Sequence, residues 1–94
     1  MQRIKKYKVV RVDWLDAHGG VRGGWRDVST VAKRKPAVSV SFGVLLRQDN
    51  EYVVICPHFA GDDNGIDMEK DVSADGEMAI PMKWVKKITK LGLL

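Results

Sequence analysis

The sequence predicts a mainly β fold: a small half-open barrel of five short strands, with one short helix and a closing helical turn. Its 94 residues, 45% hydrophobic and 30% charged, suit one domain with a single modest core. Apolar and polar residues alternate in short runs that turn residues separate. Near its end the chain has Ile80 and Pro81, a tight turn carrying Trp84, and a final alternating strand. Small barrels close in this order, so we expect the last strand to pair with the first and residues 1–94 to form one domain.

The first half of the chain contains the first predicted strand and the only predicted helix. The strand spans residues 7–15, and a glycine-rich turn at 19–24 follows it. Asp27 or Ser29 is predicted to cap a short helix that ends near Lys35, because Pro36 restricts the backbone of the residue before it.

The second strand is predicted over residues 38–47. Val38, Val40, Phe42 and Val44 fall on one face of it, and Gly43 predicts a bulge or bend of the kind that curves a sheet. A polar turn at 48–51 predicts a hairpin, and residues 59–74 are predicted to form a polar loop. The remaining strands are predicted at 52–57, 76–82 and 85–91. These elements favour a barrel of the Src-homology-3-like or Sm-like kind, and Trp14 and Trp84 are expected to anchor its core.

Composition bounds the partners and the compartment. No apolar run reaches the roughly 18 residues that a membrane-spanning helix needs, and no apolar segment follows the basic N-terminus, so we expect no membrane partner and no secretory signal. The single Cys56 allows no internal disulfide. Residues 61–80 contain seven acids against one lysine, whereas the rest of the chain contains fifteen bases against five acids. A basic body favours an anionic partner, and the acidic loop would repel one locally.

A series of short motifs follows in order along the chain. The motifs are WLDA at 14–17, GWRD at 24–27, KP at 35–36, SFGVL at 41–45, VVI at 53–55, IP at 80–81 and Ile88. This order resembles a widespread group of small proteins from tailed bacteriophages and prophages, over about residues 8–91. The group has no established activity, cofactor or catalytic residue, so the resemblance assigns no role to any residue. It also implies that the protein acts in the cytoplasm of a bacterial host. The chain departs from the group in its acidic loop at 62–75 and its glycine-rich turn, and function often lies in loops.

Two groups of residues resemble a catalytic pair and a metal-binding loop, and we interpret both as parts of the fold without such a role. Cys56 and His58 point the same way on a strand, but a buried cysteine beside a loop histidine is the commoner arrangement. Aligning Gly65 with the turn glycine of a calcium loop puts Ala60 at the first ligand position, which removes that ligand. The histidine and cysteine spacing fits no zinc motif. We therefore predict no enzyme, no catalytic residue, no metal and no cofactor.

Two surfaces remain as candidate binding sites. The first is a partner- or anion-binding surface around the glycine-rich turn, which backbone amides and arginines suit, together with the acidic loop. Its predicted residues are Arg22, Trp25, Arg26, Asp62, Asp63 and Asp67. The second is a basic patch formed where the first and last strands meet, with phosphate and base contacts as its chemistry. Its predicted residues are Lys5, Lys6, Lys8, Lys83, Lys86, Lys87 and Lys90. Lysines on edge strands also serve simply to block aggregation.

These observations predict a non-enzymatic phage or prophage accessory module that docks on a host or phage macromolecule, with inhibition of a host factor or defence system as a special case. A host or phage protein is the expected partner. Nucleic-acid binding through the basic patch is the first alternative. Binding of a small anion or nucleotide at the glycine-rich turn is the second, and a homo-oligomer would suit it because a small barrel alone has little concavity.

Overall fold

The structure, a computed structural model, describes residues 7–17, 24–70 and 72–94. Within them it is mainly β, as predicted, with one short helix and a 3-10 turn. The elements are β1 (Lys8–Asp16), α1 (Val28–Ala32), β2 (Ala37–Gln48), β3 (Tyr52–Cys56), β4 (His58–Ala60), β5 (Ser73–Asp75), β6 (Met78–Pro81), the 3-10 turn (Met82–Trp84) and β7 (Val85–Leu93).

Five of the strands form one antiparallel sheet in the order β6-β3-β2-β1-β7. The last strand returns to the first as predicted: Val12 lies opposite Ile88 and Trp14 opposite Val85. In the described residues the edge strands β6 and β7 do not pair with each other, so the sheet is not closed into a barrel. β6 has only four residues and ends at Pro81, which has no N–H to donate to another ladder. The predicted barrel is thus an open sheet.

The core lies on one face of β1 and is completed by β3 and β6. Val10, Val12 and Trp14 are between 0 and 8% exposed, at alternate positions of β1. The other buried members of this cluster are Val53, Ile55 and Ile80. Each such aliphatic side chain contributes about 1.5–3 kcal/mol when fully buried. The indole N–H of Trp14 donates to Ser41 Oγ at 3.0 Å, so the polar atom of this core residue is satisfied.

The two halves of β2 pair with different strands, which lie on opposite sides of β2 in the sheet. Residues 37–44 pair with β1, whereas β3 pairs with β2 only from Val44 onward. Where β3 begins to pair, a Cβ atom added to Gly43 would lie 3.0 Å from the backbone N and O of Cys56, so glycine is the residue that leaves room for β3. The ladder irregularity itself lies between Leu45 and Arg47, three residues beyond the predicted position.

The apolar row of β2 does not enter the core in its first half. Val38, Val40 and Phe42 are 71%, 40% and 56% exposed. Their neighbours Ser39 and Ser41 lie opposite Trp14 and Val12, and cross-strand partners share a face. The serines therefore line the core side, and the three apolar side chains face solvent.

The segment predicted as a polar loop at 59–74 contains a second, two-stranded sheet. His58, Phe59 and Ala60 of β4 pair with β5, so the chain continues beyond Pro57 as a hairpin arm. This arm was missed because three-residue strands carry too little alternation to be recognised.

The helix and the closing turn differ from prediction in detail. Asp27 occupies the N-cap position, but its side chain forms no cap hydrogen bond, and α1 ends at Ala32 and not near Lys35. The closing turn is present at Met82–Trp84. Trp84 is 43% exposed, however, so its assignment as a core anchor is wrong. Among the described residues, α1 and the 3-10 turn fall far short of the length and apolarity that a membrane crossing needs.

Candidate functional site

Trp25 is the most exposed large hydrophobic residue that the structure describes. It is fully exposed, and the apolar residues that follow at helical spacing, Val28 and Val31, are 83% and 48% exposed. None of the α1 residues is buried. We call Trp25, Val28 and Val31 the α1 surface. A tryptophan buries roughly 150–250 Å² when it finds a partner, so this ring is the largest single apolar area available for contact.

The backbone before Trp25 explains how the ring is displayed. Gly24 has φ +141°, a conformation that side chains with a Cβ rarely adopt, and the added Cβ would meet nothing within 4 Å. The restriction at Gly24 is therefore conformational and not spatial. Trp25, Arg26, Asp27 and Thr30 line a shallow depression at the start of α1. Predicted residue Arg22 lies outside the described residues, as does the glycine-rich turn up to residue 23.

The acidic residues of the predicted surface stabilise their own loop. Asp62 Oδ1 accepts the backbone N–H of Asn64 at 2.8 Å. Asp67 Oδ1 accepts that of Glu69 at 3.0 Å, and Asp67 Oδ2 lies 3.8 Å from Lys70 Nζ. These are turn-forming contacts typical of aspartate. In the described part of the chain no three acidic, histidine or cysteine side chains come together as a metal site would require.

The acidic loop contacts the main sheet at two places. The hydroxyl of Tyr7 donates to the backbone oxygen of Met68 at 3.5 Å, and the Cys56 thiol contacts the backbone oxygen of Asp75 at 3.2 Å. Asp63, the third predicted acid, is exposed on the same loop. Of the first predicted surface, Trp25 and Arg26 line the depression at the start of α1, whereas Asp62 and Asp67 line another depression with which it shares no residue.

Cys56 and His58 do not form a nucleophile and base. Cys56 is fully buried, and its thiol donates to the backbone oxygens of Asp75 at 3.2 Å and His58 at 3.3 Å. His58 itself is exposed. The contact is to the carbonyl of His58 and not to its imidazole, so the thiol ties β3 to the β4–β5 arm.

The register of β1 and β7 divides the predicted basic patch between the two faces of the sheet. Lys87 lies opposite Asp13, whereas Lys90 lies opposite the core residue Val10, and cross-strand partners share a face. Lys8 pairs with Leu93 at the other end of the ladder, and Lys86 and Lys87 line a depression with Arg11 and Asp13. Lys8, Lys83, Lys86, Lys87 and Lys90 are all exposed. Lys5 and Lys6 lie outside the described residues. Arg11 is held by Asp13 at 2.9 Å, which places a carboxylate inside the patch and lowers its net positive charge.

A tight polar network forms at the β2–β3 turn. Asp49 Oδ1 accepts the N–H groups of Glu51 and Tyr52, both at 2.8 Å, and Oδ2 lies 3.0 Å from Arg47 Nε. The hydrogen bonds from Tyr52 and then Glu51, with a smaller contribution from the Arg47 charge, lower the pKa of the Asp49 carboxyl. The Arg47 guanidinium also stacks over the Tyr52 ring, 5.4 Å from its centroid. This network fixes the turn that the sequence predicted.

Sequence reasoning missed one surface, the exposed apolar row of β2. The alternation at 38–44 showed that these side chains share a face and did not show which face meets the core. The signal that decides it is the pairing of Ser39 and Ser41 with Trp14 and Val12, which requires knowledge of the register.

The comparisons with known proteins add no family to this description. No protein-family model matches the chain, and no curated protein or solved structure matches it.

Proposed function

We propose that this chain is a non-enzymatic binding module of the small accessory kind found in tailed phages and prophages, and that it docks on a host or phage protein in the bacterial cytoplasm. The observation that carries the proposal is the complete exposure of Trp25. Inhibition of a host factor or defence system is the special case that such a module would serve.

Energetics favour contact through the α1 surface. Binding hot spots are enriched in tryptophan and arginine, and Trp25 is followed directly by Arg26. Val28 and Val31 extend the apolar area beside the ring, and the exposed Lys33 and Lys35 lie just beyond α1. A central apolar group with a charged rim is the usual composition of a protein interface. The proposed partner therefore presents an apolar pocket bordered by acidic residues.

The same proposal includes the fold type. We assign the sheet to the small-barrel class, Src-homology-3-like or Sm-like. The supporting observation is the strand order β6-β3-β2-β1-β7, with a 3-10 turn between the strands at its two edges.

A comparative capture experiment tests the docking proposal. Tagged full-length wild type, Trp25→Ala and Leu94→Ala are incubated with bacterial lysate, with and without nuclease. Leu94 is 60% exposed and distant in sequence, so Leu94→Ala removes an exposed apolar side chain outside the α1 surface. We expect a nuclease-resistant protein whose affinity falls about thirtyfold or more in Trp25→Ala and is unchanged in Leu94→Ala. Equal capture by Trp25→Ala would refute the α1 surface as the docking site.

Nucleic-acid binding is the second candidate, because the β1–β7 ladder places Lys8 beside a lysine-rich strand. Charge reversal of Lys86 and Lys87 together should then abolish binding, and the affinity of the wild type should fall steeply with salt. Salt-independent binding, or none, would remove this candidate. The carboxylate of Asp13 within the patch argues for the protein partner first.

A further inference from the structure

The first half of β2 is an unpaired sheet edge. Residues 37–43 pair with β1 on one side, and β3 begins to pair with β2 only at Val44. In the part of the chain that the structure describes, the other side of this stretch has no strand partner. We call residues 37–43 the free β2 edge. Alternate backbone N–H and C=O groups along such an edge are available to another strand.

The other edges of the main sheet carry features that prevent strand addition, and the free β2 edge does not. β7 has exposed lysines at 86, 87 and 90, which oppose the approach of another copy of itself. β6 has four residues and ends at Pro81. By contrast, no charged residue and no proline occurs from Ala37 to Leu46. An uncharged edge rich in β-branched residues is a template for pairing.

The apolar row lies along this same edge. Val38, Val40 and Phe42 project from it on the solvent-facing side, at 71%, 40% and 56% exposure. A strand added to the edge would cover them from the side while satisfying the backbone groups. Both the backbone and the side chains of residues 37–43 therefore favour one kind of occupant, an extended and uncharged strand.

We propose that the free β2 edge pairs with the free β2 edge of a second copy of this chain, antiparallel about a two-fold axis. Gly43 lies against the backbone of Cys56, so the new ladder uses residues 38–42. The centre of these five residues is Val40, and their full overlap fixes the register. Val40 then lies opposite its own counterpart and Val38 lies opposite Phe42, which joins the two apolar rows on one face. On the other face Ser39 lies opposite Ser41, and hydroxyl pairs are favourable across strands.

Charge also favours a second copy. The nearest charged residues, Lys35 before the edge and Arg47 after it, both lie outside the five-residue ladder. The copies therefore meet without a like-charge pair inside the interface, although each carries a net charge of +4. A two-fold interface is also self-complementary, so the uncharged segment meets an identical uncharged segment.

Sedimentation equilibrium of the full chain tests the proposal, from about 1 μM to 1 mM. Wild type, Val40→Lys and the control Leu94→Lys are compared. Val40→Lys places two like charges face to face at the two-fold axis, whereas Leu94→Lys adds the same charge at another exposed apolar position, outside both proposed surfaces. We expect a concentration-dependent dimer for wild type and Leu94→Lys, and dimerisation weakened about tenfold or more in Val40→Lys. A monomeric wild type throughout the range overturns the proposal, and so does unchanged dimerisation of Val40→Lys.

The register has its own test. Val38→Lys and Phe42→Glu each place a charge against an apolar side chain of the other copy, so each should weaken the dimer. The double variant places the two new charges opposite each other and should restore it. Circular dichroism and a single melting transition identify any variant that fails to fold. Val38→Lys, at the most exposed position of the row, replaces Val40→Lys in that event. Failure of the double variant to recover dimerisation overturns the register.

Discussion

Gly43 is the position where a single methyl group should disturb the sheet most. The Cβ of an alanine there would lie 3.0 Å from the backbone N and O of Cys56 and 3.1 Å from its carbonyl carbon. These are backbone atoms of a fully buried residue whose thiol donates to the carbonyls of His58 and Asp75. The end of β3 must therefore move away from β2 to accept the methyl group, because no flexible side chain is available to yield.

The cost follows from two opposing effects. Overpacking a close contact costs about 1–3 kcal/mol. Replacing glycine by alanine also restricts the unfolded chain, which stabilises by about 0.4–1 kcal/mol. We expect Gly43→Ala to lower the free energy of unfolding by about 1–2 kcal/mol. Gly92 is the matched control, because it also lies in a strand and a Cβ there would meet nothing within 4 Å. Gly92→Ala should raise the free energy of unfolding by about 0.4–1 kcal/mol.

Thermal and urea denaturation of both variants measures the difference. In a domain of this size each kcal/mol corresponds to about 4–8 °C in Tm, so the Tm values of the two alanine variants should differ by about 6–24 °C, with opposite signs relative to wild type. If Gly43→Ala is as stable as Gly92→Ala, the close approach of β3 to β2 at Gly43 is refuted. The start of the β2–β3 ladder at Val44, which leaves residues 37–43 without a partner on that side, is then refuted as well.

Three further predictions concern stability. Ile55→Ala, at a 2% exposed core position, should lower the free energy of unfolding by about 2–5 kcal/mol in urea denaturation, and a smaller loss would place Ile55 outside the core. Ser41→Ala removes the acceptor of the Trp14 indole N–H and should cost about 1–3 kcal/mol, measured against Ser39→Ala, which leaves that bond intact. The lowered pKa of Asp49 means that its carboxylate stabilises the fold above the ordinary aspartate pKa and that this stabilisation is lost as pH falls through the folded-state pKa. The Tm deficit of Asp49→Ala should therefore be largest near neutral pH and shrink below about pH 4, and a pH-independent deficit would contradict the network.

The sequence predicts the strands well wherever alternation is long. β1, β2, β3 and β7 lie within two residues of their predicted ends, and the return of the last strand to the first is confirmed. The hairpin turn at Asp49 was also accessible, because aspartate bonds its own backbone two or three residues on. The strand positions and the hairpin turn depend on local chemistry that one short window of sequence contains.

What the sequence could not supply is which face of a strand meets the core. Trp14 and Trp84 look equivalent in sequence, yet Trp14 is buried and Trp84 is 43% exposed, because Trp84 sits on a 3-10 turn at the sheet edge. The row at 38–42 has the same limitation, since its exposure depends on pairing with β1. The sheet also stays open between the described edge strands β6 and β7, and the alternation within each strand does not encode whether two edges meet.

The exposed apolar residues of the described structure are concentrated in one part of the chain, and this distribution is the basis of both proposed interfaces. Exposed apolar side chains are normal on protein surfaces when scattered singly. Here six of the fourteen large ones in the described residues fall between Trp25 and Phe42, a stretch that contributes no buried large hydrophobic residue. The core is complete without this stretch, because β1, β3 and β6 supply it. The large hydrophobic residues of 25–42 therefore keep 40% or more of their surface exposed, and burial against another surface would add to their contribution to stability. Its two halves differ in form, a lone tryptophan beside a helical turn and an uncharged strand edge. This difference is why we assign them to two kinds of partner, another protein for the first and a second copy for the second.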